Sequence, residues 1–153
     1  MSILIAIGGN AAPLVATDSR VVEPDGTIHD DWGKTFRLNG VRVIGGYTGL
    51  VRFKGRRIPD LLQTLDLETI SSLEQLADQA RALLETELAS ISESEVTIKA
   101  RKLDVVVLGY SEIRKKKGPP IAYGVVIRPK DSGVIEGEIR QFDRWAEIGR
   151  AHV

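Results

Sequence analysis

The chain has 153 residues, no cysteine, 21 Lys+Arg against 21 Asp+Glu, and 42% hydrophobic residues, which fits one compact domain. Balanced charge removes the electrostatic basis for a nucleic-acid binder. No apolar run reaches the ~18 residues of a membrane span, and Met1 to Gly9 is too short and lacks the basic flank of a secretory signal, so the chain reads as cytoplasmic. Without cysteine, thiolate chemistry and Cys-ligated metals are excluded. With two histidines no metal or cofactor is expected: His29 stands beside Asp30 and Asp31, whose adjacent carboxylates would point different ways in an extended chain. Chemistry must come from hydroxyls, carboxylates and amines.

In chain order, Met1 to Ile7 and Pro13 to Asp18 flank Gly8-Gly9-Asn10 and predict an N-terminal hairpin. Pro24-Asp25-Gly26 marks a turn after Val21-Val22. Asn39-Gly40 is the strongest hairpin signal in the chain, joining Lys34–Leu38 to Val41–Tyr47. The period then changes. Ile58, Leu61, Leu62 and Leu65 recur at helical spacing with Pro59 in the first turn, and a stripe from Leu73 to Ile91 predicts a helix of about five turns, opened by a Ser71/Glu74 capping box. Strand-like runs return at Leu103–Tyr110, Ile121–Ile127 and Val134–Phe142. The basic runs Arg52-Lys54-Arg56-Arg57 and Arg114 to Lys117 read most simply as solvated loop charges, with a contact to a partner or between rings as the alternative. Strands, two helices, then strands predict an α+β layered fold with helices on one sheet face.

The chemical reading starts at the amino end. Methionine is trimmed when a small residue follows, so Ser2 becomes the first residue, with its hydroxyl beside a free α-amine. That amine titrates at about 7.7 to 8.0 in reference peptides, close enough to neutrality to take the hydroxyl proton. A neighbouring ammonium would lower the hydroxyl pKa, and a carboxylate would hold that ammonium.

Asp18, within Ala16-Thr17-Asp18-Ser19-Arg20, lies 16 residues after Ser2, and Lys34, opening Lys34-Thr35-Phe36-Arg37-Leu38, lies 32 after it. With Gly45-Gly46-Tyr47-Thr48-Gly49-Leu50, and more weakly Val105–Tyr110 and Gly118–Tyr123, this pattern resembles a proteasome β-type subunit or a bacterial proteasome-like N-terminal nucleophile (Ntn) hydrolase over residues 2 to about 127. The resemblance implies an αββα four-layer sandwich and peptide-bond hydrolysis with Ser2 as nucleophile. Asp18 and Lys34 would support Ser2, and the Gly49 N–H would serve as oxyanion donor. Val21, Trp32 and Tyr47 would line an apolar substrate pocket. It also implies a polypeptide substrate, a homo-oligomeric ring and an unfoldase or activator, with no nucleic acid and no membrane. Serine replaces the family's usual threonine, whose methyl group presets χ1, so a slower or less selective enzyme is expected. The alternatives are a non-catalytic structural subunit of such an assembly and an Ntn amidohydrolase acting on a small amide.

At the other end, Ile148-Gly149-Arg150-Ala151-His152-Val153 is what one frame of a widely used sequencing adapter encodes. The expectation is an incomplete proteasome-like domain over 1–147 and a non-native tail over 148–153. Loss of the last helical layer should then leave Val105, Val107, Val125 or their neighbours exposed on an uncovered sheet face.

Overall fold

The computed structural model describes residues 4–7, 13–17, 21–22, 26–29, 33–50, 52–53, 55–142 and 145–148. Before the helices come β1 (Leu4–Ile7), β2 (Leu14–Thr17), β3 (Val21–Val22), β4 (Ile28–His29), β5 (Thr35–Arg37), β6 (Val43–Gly49), β7 (Arg52–Phe53) and β8 (Arg56–Arg57). Helices α1 (Ile58–Leu62) and α2 (Leu73–Ala89) follow, then β9 (Leu103–Gly109), β10 (Ile121–Pro129), β11 (Ile135–Phe142) and β12 (Trp145–Ile148). Five strands form an antiparallel sheet in the order β11-β10-β9-β6-β5, and three form a second in the order β12-β1-β2. The pairs β3–β4 and β7–β8 stand as separate two-stranded ribbons.

Turn chemistry builds the larger sheet. Gly40 takes φ +84° after Asn39, and the chain returns with Leu38 N–H donating to the Val43 carbonyl at 3.0 Å. Central strand β9 is buried at all seven positions because both of its faces are covered. Edge strand β11 instead alternates, with Glu136, Glu138 and Arg140 in solvent and Ile135, Gly137 and Ile139 turned inward.

The apolar stripe of α2 dictates the packing. Leu73, Leu76, Ala77, Ala80, Leu84 and Leu88 are buried against β9, β10 and β11. One cluster joins them to Val105, Val107, Val125 and Ile127, while Val106, Leu108 and Ala122 on the opposite face meet Val15 of the smaller sheet. Among the described residues the helices therefore lie on one face of the five-stranded sheet and strands on the other. The αββα four-layer sandwich is corrected accordingly: the fold is a mostly antiparallel five-stranded sheet with two helices. The expected exposure is corrected too, since Val105, Val107 and Val125 are fully buried by α2 or the core around it. Ile148, assigned above to a non-native tail, ends β12 in register with Leu4.

Long arginines tie the layers together. Arg101, 5% exposed, donates to the Leu88 carbonyl at 3.2 Å and twice to that of Val96, satisfying a carbonyl that the end of α2 leaves without a helical partner. Arg114 donates to the Ile70 carbonyl at 2.6 Å and to that of Leu67, clamping the α1–α2 connection. It is thus a structural residue and not the solvated charge read from its basic run. On α2, Ser72 and not Ser71 is the N-cap: its hydroxyl accepts from Gln75 N–H at 3.1 Å, and the Gln75 side chain accepts in return from Ser71 N–H. The N-cap is thus displaced by one residue, and the return bond reaches Ser71 N–H and not that of the N-cap itself, so the reciprocal box does not close.

Glu85 of α2 reaches the sheet edge and accepts from Gly137 N–H at 2.6 Å, so one outward donor of β11 is covered. Arg81 bridges Glu85 and Asp78 at 3.0 Å each, and those hydrogen bonds, that to Asp78 foremost, hold its guanidinium above the usual arginine range.

Candidate functional site

Lys34 precedes β5 and, through Tyr47 N–H donating to its carbonyl at 2.9 Å, sits opposite Tyr47 on β6. It is 2% exposed. An ammonium so far from water is costly unless compensated, and its field on a neighbouring group is correspondingly strong. Two residues along β6 from that row lies Gly49, where the strand ends.

Gly49 has φ +99°, and a Cβ there would stand 2.3 Å from the Lys102 carbonyl oxygen. Both facts demand glycine for reasons internal to the fold. An oxyanion-donor role, which the resemblance implies for this position, is not needed to explain the glycine.

Tyr47 has no exposed surface, and its ring packs against Phe36 with centroids 6.3 Å apart. Its hydroxyl donates to the Gly33 carbonyl at 3.3 Å. Arg57 donates to the same carbonyl at 2.6 Å and contacts the Tyr47 hydroxyl at 3.4 Å. Tyr47 is therefore a core residue that, with Arg57, fixes the backbone immediately before Lys34, and not an open pocket wall. Sequence reasoning missed Arg57 because its basic run resembled a solvated loop. Its position one residue ahead of a helix carrying Pro59 was the available hint.

Ser2, Asp18 and Trp32 lie outside the described residues. Val21 is placed in β3, paired with His29 of β4. The hairpin nearest Ser2 and Asp18 is well defined in register: Leu4 pairs with Thr17, Ile5 with Ala16 and Ala6 with Val15. Ser2 is two residues before the first member of that ladder and Asp18 one residue after its partner.

A second polar cluster sits at the same end of the large sheet. Asp104, 5% exposed, is paired across the ladder with Thr48, itself 1% exposed. Arg128 donates to Asp104 Oδ2 at 3.0 Å and lies 2.9 Å from Oδ1, at an angle that leaves Oδ1 a charge contact without a hydrogen bond. The same guanidinium reaches the Leu103 carbonyl, opposite Gly49. No group of ligating side chains suited to a metal ion occurs among the described residues, nor is any helix there long and apolar enough to cross a membrane.

Comparison with solved structures finds a chain of the helical assembly of the Anbu complex from Pseudomonas aeruginosa, with a TM-score of 0.57 and 18% identity over 96% of this chain. The likeness is one of fold. No protein-family model and no curated protein matches the chain. Membership of the proteasome β-type or bacterial Ntn family, inferred from motif spacing, is corrected on these findings: the spacing identifies no family, and the shared architecture is distant. The chain spans 60% of the length of the Anbu chain it resembles.

Proposed function

We propose that this protein is an amide-bond hydrolase that uses Ser2 as nucleophile once Met1 is removed. The α-amine of Ser2 acts as base, Lys34 lowers the hydroxyl pKa, Asp18 anchors Lys34, and the Gly49 N–H receives the developing oxyanion. The observation that carries this reading is the β1–β2 ladder. Its Leu4–Thr17 pair supports the reading, because Ser2 stands two residues before Leu4 in the sequence and Asp18 one residue after Thr17. Burial of Lys34 adds support, because a solvent-screened ammonium would do little to a neighbouring hydroxyl. The fold likeness to a proteasome-like assembly supports a polypeptide substrate and action within a homo-oligomer, ring-shaped in this reading, fed by an unfoldase or activator. No cofactor is required by the scheme. Val21 and Trp32 would line the pocket, with Tyr47 setting its floor from within the core.

The test is intact mass of the full chain before and after incubation with a peptide epoxyketone. Loss of Met1 and a single adduct are expected, with no adduct on Ser2→Ala and a strongly slowed one on Lys34→Met. Retention of Met1, or an unmodified wild-type chain, refutes the hydrolase. A second reading, a non-catalytic structural subunit of such an assembly, is favoured by one observation: Gly49 and Tyr47 are fully accounted for by packing. Homo-oligomers without adduct formation would establish it.

A further inference from the structure

We propose that the outer edge of β5, the last strand of its sheet among the described residues, and the trough beside it bind an extended acidic segment of another protein. The sheet order ends on β5. Leu38 N–H bonds the Val43 carbonyl and Tyr47 N–H the Lys34 carbonyl, so residues 34, 36 and 38 face β6, and the N–H and C=O groups of Thr35 and Arg37 face away from it. These are the groups that strand addition uses.

The trough along this edge has two chemical halves. Leu14, 51% exposed, with Phe36 and Ile44, makes an apolar half. Arg37, Arg42 and Lys116 line the adjoining half, which shares Arg37 and Ile44 with the first. Among the described residues Arg57, Arg101 and Arg114 are spent on carbonyls and Arg81, Arg128 and Arg140 on carboxylates, whereas Arg56, away from this trough, is not engaged. The side chains of Arg37, Arg42 and Lys116 make no such contact among the described residues, although the chain carries as many acidic as basic residues. Three cations with no carboxylate partner among the described residues, converging on one apolar-walled trough, are complementary to carboxylates beside aliphatic side chains. The cationic half lies toward the C-terminal end of β5, so a segment added antiparallel meets it with acidic residues ahead of apolar ones.

Fluorescence anisotropy of the full chain with a fluorescein-labelled peptide carrying two glutamates followed by three aliphatic residues tests this. The peptide is expected to bind, its glutamine counterpart about tenfold or more weakly, and the triple variant Arg37→Glu, Arg42→Glu, Lys116→Glu likewise. All three side chains are exposed, so that variant keeps its fold. Thr35→Pro removes an outward donor that an edge strand tolerates losing, and it too should keep the unfolding midpoint while losing the peptide. Equal binding of the two peptides, or unchanged binding by both variants, overturns the proposal. So does tighter binding of a short oligothymidylate than of the peptide, or a wild-type self-association that the triple variant abolishes.

Discussion

Replacing Gly49 with alanine isolates what the end of β6 requires. A non-glycine residue near φ +99° costs about 1 to 2 kcal/mol. The new Cβ also arrives 2.3 Å from the Lys102 oxygen, a backbone atom that cannot rotate aside, so β6 or the start of β9 must shift. Overpacking of this kind costs about 1 to 3 kcal/mol, giving roughly 2 to 5 kcal/mol in total. Gly40 is the control: its φ is +84°, but nothing lies within 4 Å of the point a Cβ would occupy, so Gly40→Ala should lose only the dihedral contribution of about 1 to 2 kcal/mol. Urea unfolding of both variants and the wild type, compared at a common slope, measures the difference directly. Equal losses, or a Gly49→Ala variant as stable as wild type, would show that the Lys102 contact does not constrain this strand end. A loss of activity in Gly49→Ala then has to be read against its measured stability before any oxyanion role is assigned.

Four further experiments test the remaining interactions. Arg101→Met removes the donors to the Leu88 and Val96 carbonyls and should cost about 2 to 4 kcal/mol in the same unfolding assay. Arg128→Ala strands the buried Asp104 carboxylate; because the Arg128 side chain is 44% exposed, the loss should fall near the lower end of the 3 to 5 kcal/mol range for broken buried pairs, about 3 kcal/mol, and Asp104→Asn in the same background should restore part of it. Leu84→Ala opens a cavity under α2 and should cost about 2 to 5 kcal/mol by thermal or urea unfolding. Ser72→Ala should destabilise by about 1 kcal/mol while Ser71→Ala changes stability by only a few tenths, a contrast that circular-dichroism melts can resolve.

What could be read from the sequence was local. Asn39-Gly40 defines its hairpin because a tight turn needs φ > 0 there, and the stripe from Leu73 to Leu88 defines α2 because one helical face must be buried. The layers were not legible in the same way. Whether Val105 meets a helix, a second sheet or water depends on where distant segments fold back, and β-strand alternation is the same in each case. The N-cap slipped by one residue because Ser71-Ser72 offers two hydroxyls, and the Gln75 side chain accepts from Ser71 N–H and not from the N-cap's own. Arg114 was misread because the carbonyls it clamps lie 44 and 47 residues earlier in the chain. In the candidate site, spacing from Ser2 pointed to Lys34, and Gly49 was drawn from the family resemblance alone. That Tyr47 and Arg57 jointly hold the Gly33 carbonyl follows only from their meeting in space.

Because Ile148 is in register with Leu4, the carboxyl-side strand emerges against the start of the first one. An affinity tag or fluorescent fusion attached after β12 would therefore begin beside Leu4, two residues from Ser2 in the sequence. Probes are better grafted into an exposed turn such as Asp131-Ser132-Gly133, on the β10–β11 hairpin, leaving that neighbourhood unencumbered.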